Sequence, residues 1–425
     1  MKKNCILGCV MLAAITLTAS GQSSTKSPYS QFGIGVLSDR SQGMSRGMNG
    51  VGVGLRSGTI VNTLNPASYS AVDSLSMLFD AGLAGQITNF EEGRKRQNAS
   101  TANFEYIVGQ FRAWRNIGVA VGMLPISNIG YSYSSSNYID ANNGTVTSTF
   151  SGEGGLHEAF VGIGWQPLKP LSVGANIGYV WGDLSRTVLT TGTSSSMATL
   201  SRLYSSTVKS YKADFGIQWH QPLSKQDRLT MGATLSIGHK LGADPELNII
   251  NTTTSDTTSF RISDGLELPW SWSVGAAYNH SQKLTIAADM EMQLWSKAQL
   301  PSYDSNMNTY RSMSGLTRNR MRLGIGADWS PNPMSRKYLN RVHYRIGTGL
   351  TTPYYKINNQ DGPKEFSASL GFGLPIQNGY NNRSVVNVSA QWVHASAHDF
   401  ITENTFRINI GITFNERWFA KWKVE

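Results

Sequence analysis

Phe406-Arg407-Ile408-Asn409-Ile410-Gly411-Ile412-Thr413-Phe414 sets an apolar side chain at every second position, with polar or small residues between. Successive side chains of a strand point to opposite faces, so this stretch reads as a strand with one apolar and one polar face. Leu284, Ile286, Ala288, Met290, Met292 and Leu294 alternate in the same way with Thr285, Ala287, Asp289, Glu291 and Gln293. Met321 to Trp329 and Leu171 to Tyr179 repeat the pattern. Fourteen such segments can be marked, at roughly 75–89, 102–113, 117–134, 155–166, 171–190, 203–219, 228–243, 260–279, 283–298, 312–330, 342–357, 364–377, 384–396 and 403–415. An even count of amphipathic strands fits a transmembrane antiparallel β-barrel, the all-β fold expected here.

The connections sort by parity. Even-numbered segments end in compact turns such as Trp114-Arg115-Asn116, His220-Gln221-Pro222 and Ser330-Pro331-Asn332-Pro333. Most odd-numbered ones lead into longer stretches rich in Ser, Thr and Asn, among them 135–154, 191–202 and 244–259. Short periplasmic turns opposite long external loops are the membrane-barrel pattern. Trp165, Trp219, Tyr278 and Trp329 fall on the apolar face just before short turns, where they would form an interfacial aromatic girdle. Aromatics capping a soluble core are the bland alternative.

Composition agrees. Of 425 residues only 15% are charged and 40% are hydrophobic, with 43 Gly, 11 Trp, 17 Tyr and 15 Phe. Soluble chains average about 25% charged residues. The aromatic content excludes disorder, and past the first residues no apolar run approaches the ~18 needed for a membrane helix. The net charge of +10 is spread without a dense basic run interleaved with aromatics, so no nucleic-acid partner is expected.

Lys2 and Lys3, the apolar stretch Ile6 to Leu17 and the small residues Ala19 and Gly21 read as a cleaved signal peptide over 1–21. Both cysteines, Cys5 and Cys9, lie within it, so the mature chain would hold neither a disulfide nor a cysteine-ligated metal. Residues 22–74 carry many glycines and no sustained alternation. Gly50-x-Gly52-x-Gly54 lacks the strand-turn-helix setting of a dinucleotide site. Small flexible residues ahead of a wide barrel suggest a plug, or hatch, within the lumen. The barrel would then occupy 75–418, with a C-terminal tail over 419–425.

Asn65-Pro66-Ala67, following this Gly-rich run and preceding fourteen strands, resembles the FadL family of outer-membrane transporters for long-chain fatty acids and other hydrophobic compounds. Leu268-Pro269, Ser273-Val274-Gly275, Tyr278, Asp289, Glu291 and Trp295-Ser296 are similar to that family's run across its eighth and ninth strands. Ser27-Pro28-Tyr29-Ser30-Gln31-Phe32-Gly33 and Asn415-Glu416-Arg417-Trp418-Phe419 resemble members common in Bacteroidota. The resemblance implies the outer membrane of a Gram-negative bacterium, lipid contact and a hydrophobic small-molecule cargo.

Pro125 stands mid-strand, where its missing N–H breaks a ladder bond unless the chain kinks or bulges. FadL-type barrels have an inward kink in the third strand through which ligand leaves sideways into lipid, so the resemblance implies a lateral opening at Pro125, Ile126, Ser127 and Asn128. A proline tolerated near the outer rim is the alternative. Asp289 and Glu291 should face the lumen beside Arg320 and Arg322 and form cross-strand ion pairs. His157-Glu158 lacks the second His of a zinc helix; no enzyme activity, cofactor or metal is expected.

The stretches 191–202 and 244–259 depart from the family, being short and mostly Ser, Thr and Asn where a hydrophobic capture groove is implied. Two main functions therefore stand: passage of fatty-acid-like molecules through a plug-gated lumen and lateral opening, or a non-transporting scaffold subunit with outer-membrane protein partners, as in type IX secretion or barrel assembly. A plugged barrel conducting a polar solute is a third.

Overall fold

The computed structural model describes residues 25–74, 76–140, 144–193, 198–376 and 384–417. The signal-peptide reading of 1–21 and the tail 419–425 lie outside the described residues. Fourteen antiparallel strands form the wall: β1 Ser76–Glu92, β2 Lys95–Trp114, β3 Ile117–Asp140, β4 Gly144–Leu168, β5 Leu171–Gly192, β6 Leu200–Pro222, β7 Asp227–Ser236, β8 Ser271–His280, β9 Leu284–Gln293, β10 Arg320–Trp329, β11 His343–Thr351, β12 Lys364–Pro375, β13 Val385–Ser396 and β14 Thr402–Arg417. Each pairs with the next in sequence, and β1 closes on β14 from Ser76↔Arg417 to Glu91↔Thr402. Pairing of β1 with β14 leaves neither terminal strand with a free sheet edge, which a membrane would not tolerate.

Period two becomes geometry directly. Leu83, Ile177, Ile217, Ile325, Leu370 and Ile410 lie exposed on the outer face. Their polar neighbours on the lumenal face, such as Asn176, Gln218, Ser369 and Asn409, are buried. Trp165, Trp219, Tyr278 and Trp329 are also exposed at the short-turn end, which is periplasmic in bacterial barrels.

The wall is uneven in height. Strands β3 and β4 run 24 and 25 residues, about 80 Å at ~3.3 Å per residue, whereas a membrane needs only ~9–11. The excess carries hydroxyl pairs, Ser134 with Thr149 at 3.0 Å and Ser136 with Thr147 at 2.9 Å. Strands β7 to β11 run 9 or 10 residues, shorter than their sequence pattern predicts. Gly238, Pro269 and Pro353 stand beyond the ladder ends, and Trp295 opens a 3-10 turn after β9. Stretches read as loop, 244–259 and the gap between 298 and 312, carry small hairpins instead, Glu246–Asn251 with Asp256–Arg261 and Leu300–Asp304 with Thr309–Met313. Apolar side chains of these hairpins and of the connections around them build a cap on the outer end: Leu241, Leu247, Leu266, Leu268, Trp295, Leu300 and Tyr354 are all buried. The β10–β11 connection is also longer than its Pro-rich start suggests, holding a 3-10 turn at Tyr338–Asn340 before β11 begins.

Candidate functional site: the lumen and the free edge of the third strand

Residues 25–74 fill the lumen. Asn65 caps the 3-10 helix Pro66–Ala71, its Oδ1 accepting from Ala67 N at 3.1 Å, while its Nδ2 donates to Val53 O at 3.0 Å and to Ile217 O of β6 at 3.1 Å. The wall makes room with glycine. A Cβ on Gly174 would lie 2.4 Å from the Pro66 carbonyl carbon, and one on Gly164 would lie 2.7 Å from the Pro66 oxygen. Asn65-Pro66-Ala67 is thus a packing element seated on lumen-facing glycines of β4, β5 and β6.

On the opposite wall the helix α1, Gly43–Gly47, packs against β12, β13 and β14. Arg46 is buried there, donating to Glu105 Oε2 at 3.0 Å and to Asn409 Oδ1 at 2.9 Å. Gly43-Met44-Ser45-Arg46-Gly47 has the spacing of a Gly-x-Ser-x-Gly nucleophile elbow. It lacks the strand-to-turn-to-helix setting that exposes such a serine: the residues before it form no strand, and Ser45 is buried in a one-turn helix. His157 lies on the outer face of β4 with its ring against Trp181. Among the described residues no cluster of His, Cys, Asp or Glu could hold a metal.

The four lumenal charges line one cavity of about 340 Å³. They do not form the expected pair of ion pairs. Asp289 accepts from Gly52 N at 2.5 Å and Val53 N at 2.8 Å, and Arg322 donates to Asn49 O at 2.6 Å. Only Arg320 and Glu291 approach each other, at 3.9 Å. The reason is competition: the backbone turn 49–53 offers donors and acceptors that a cross-strand partner would otherwise supply. A second cluster joins Arg40 to Glu158 at 2.9 Å and to Asp214 at 3.2 Å, with Lys212 also on Asp214. Burial alone would raise the Asp39 carboxyl, but Arg46, Arg322 and bonds from Ser41 hold it down to about 2.

Beside this cavity the wall changes. β2 and β3 pair from Trp114↔Ile117 only as far as Ile107↔Met123. Beyond that rung β2 stays paired to β1 and β3 to β4, so the two strands present unpaired edges to each other. Each carries a bulge close by. Glu105 falls out of the β1–β2 register, and Ile126 falls out of the β3–β4 register between Pro125↔His157 and Ser127↔Leu156. Extra unpaired residues of this kind bend a strand and re-aim its side chains.

The free edge of β3 is covered from inside. The two-residue strand Val36–Leu37 pairs with Asn128 and Ser127. Ser38 N donates to Ile126 O at 2.9 Å, Asn128 Nδ2 to Ser38 Oγ at 2.7 Å, Gly130 N to Ser30 Oγ at 3.0 Å and Tyr133 OH to Gln31 Oε1 at 2.9 Å. Pro125, Ile126, Ser127 and Asn128 lie on β3 just past the last β2 rung, beside the gap where that ladder has stopped. The residues that occupy it, Ser30 to Ser38, carry no chemical motif; the one sequence hint is the apolar pair Val36-Leu37 within a Gly- and Ser-rich run.

No curated protein matches the chain. Among solved structures it resembles a FadL homologue of Pseudomonas aeruginosa, at TM-score 0.63 and 11% identity over 90% of this chain and 99% of that one. It also resembles the P. putida toluene transporter TodX (0.61, 14%, over 90% and 100%) and the Ralstonia pickettii toluene transporter TbuX (0.58, 14%, over 89% and 99%). Identities this low speak to the fold, which is that of the FadL-type outer-membrane barrels. The BamG family model matches residues 1–425, and the chain belongs to the BamG family.

Proposed function

We propose that this protein is a docking subunit of an outer-membrane machine, such as barrel assembly or type IX secretion, built on a FadL-type barrel whose lumen is sealed. One observation carries the reading: charged side chains are interspersed among the apolar ones that line the lumenal cavity, leaving no continuous apolar bed. Asp39, Arg40, Glu105, Lys212, Asp214, Asp289, Glu291, Arg320 and Arg322 all border it. Sites for hydrophobic ligands are mostly apolar with a few placed polar groups, and a fatty-acid chain gains ~0.8 kcal/mol per buried CH₂ only against apolar surface. The outer cap adds to the seal, since its apolar side chains are spent on one another and on Ile34, Ile126 and Ile129 rather than on an open capture groove.

Lateral passage of hydrophobic small molecules is the second reading, and the interrupted β2–β3 ladder with the FadL-type fold favours it. There the segment 30–38 acts as the gate and the Pro125–Asn128 bulge as the exit. Purification from the native membrane in mild detergent separates the two. Stable, stoichiometric partner subunits support docking; a solitary barrel carrying lipid-like density in its wall break supports passage.

A further inference from the structure

The periplasmic mouth carries a second cavity that neither reading uses. It is open, about 630 Å³ in volume, and lies between the lumenal segment and the short turns of the β2, β4 and β6 ends. Arg56, Arg112, Lys169 and Arg228 all line it, against the single acid Asp73. Among the described residues none of those four cations forms an ion pair. Arg56 spends its guanidinium on neutral oxygens, Ala67 O at 3.2 Å, Ser70 Oγ at 3.0 Å and Gln166 Oε1 at 3.3 Å. Burial and the nearby Arg228 press it down to about 10, as expected of a cation that lacks a counter-charge.

Within the lumen Arg322 and Arg407 likewise bond neutral oxygens, but other cations there are paired. Arg40, Arg46 and Lys212 each have a carboxylate within 4 Å. An uncompensated group of cations facing the periplasm from a concave site focuses a positive field and favours an anionic partner.

Geometry narrows the anion. The lining residues alternate with lipid-facing neighbours: Gln166 follows Trp165, and His220 follows Trp219. The wall thus stands between the cavity and the bilayer, and a lipid headgroup would have to leave its leaflet to enter. The opening is far larger than one phosphate needs, and its cations come from four separate elements. Arginine's planar fork binds carboxylate and phosphate alike, so it is the spread of the cations over a large opening that favours a chain bearing several carboxylates over a single small anion.

We propose that this cavity seats an acidic peptide segment of a periplasmic protein, its Asp or Glu carboxylates bonded by Arg56, Lys169 and Arg228. The proposal rests on the docking reading and names the chemistry of one partner.

The test compares the full-length wild type with Lys169→Glu/Arg228→Glu, after a heat-modified gel shift shows that the variant barrel is folded. Each is affinity-purified from native membranes. The expected result is that the variant loses a soluble periplasmic subunit and keeps membrane-embedded ones. If the wild type brings partners down and the variant keeps all of them, the cavity proposal is wrong while docking stands. If the wild type brings none, docking itself fails, and a labelled hexaglutamate peptide added to the detergent-purified barrels decides the cavity alone. Binding weakened at least about tenfold by the double substitution, with hexaglutamine inactive, keeps the site. Absence of binding, equal binding by the variant, or displacement by inorganic phosphate as readily as by unlabelled peptide overturns it.

Discussion

The two edges of strand β3 are held in opposite ways. Toward β4 the ladder is nearly continuous from Ile117↔Trp165 to Asp140↔Gly144, interrupted only by single-residue bulges. Toward β2 it stops at Met123, and the exposed edge is covered by hydrogen bonds from residues 30–38. One edge is fixed by sequence-local hairpin pairing. The other depends on a segment some 90 residues earlier, as in the Ser38 to Asn128 bond. The comparison teaches that closure of this barrel at its outer half is a tertiary event, and that the stability of that closure belongs to the lumenal segment rather than to the wall.

The largest effect should come from Arg46. It is 4% exposed at the side chain and holds Glu105, the bulged residue on the β2 flank. Arg46→Ala would leave the half-buried Glu105 carboxylate and the Asn409 amide without their partner, which costs about 3 kcal/mol. The expected outcome is loss of hydrogen-exchange protection through residues 36–64 with β3–β4 amides unchanged. Equal loss on both edges of β3 would show that the two are not independent.

Next in size is the seam itself. Ser38→Pro removes the backbone donor that reaches Ile126 O across the seam, for about 1–3 kcal/mol, and should open the segment to protease while the wall stays folded. The converse is a lock. Val36→Cys with Asn128→Cys joins directly paired positions. Oxidising that pair should leave partner co-purification unchanged if the barrel docks, and should abolish uptake of hydrophobic probes if the seam is a gate.

Acid should release the same segment. The Asp39 carboxyl is held at about 2 against an ordinary 3.8. A group depressed on folding contributes stability that is complete above its ordinary value and is lost as pH falls through the folded one. Protection of residues 36–46 from protease should therefore be flat above pH ~4 and decline between ~4 and ~2. In Asp39→Asn that acid-dependent decline should be reduced.

Most of the wall was legible because period two survives translation into a barrel: Phe406 to Phe414 became β14, with Ile408 and Ile410 on lipid and Asn409 inside. What was less legible follows from the same rule. Leu266, Leu268 and Trp295 look like strand residues because burial in a cap and exposure to lipid both select apolar side chains. The lumenal charges could be assigned to a face by parity but not to partners, since Asp289 and Arg322 bond backbone groups of residues 49–53 that no alternation marks. The glycines that alternate with apolar residues along the wall are the space that Pro66 and Tyr69 fill, which alternation alone does not mark.

The smallest effect separates the readings most sharply. Pro125 lies two residues beyond the last β2 rung, next to the Ile126 bulge. Its missing donor interrupts a ladder that has already stopped on one side, so Pro125→Val should change thermal stability by no more than about 1 kcal/mol. If the bulge serves as an exit, relaxing the kink lets β3 follow β2 further and narrows the break, and uptake of hydrophobic probes falls despite unchanged stability. If the bulge serves only to receive Ser38 on Ile126 O, the variant retains both its partners and its fold. A fall in uptake with partners retained would move the protein from a docking subunit to a conduit.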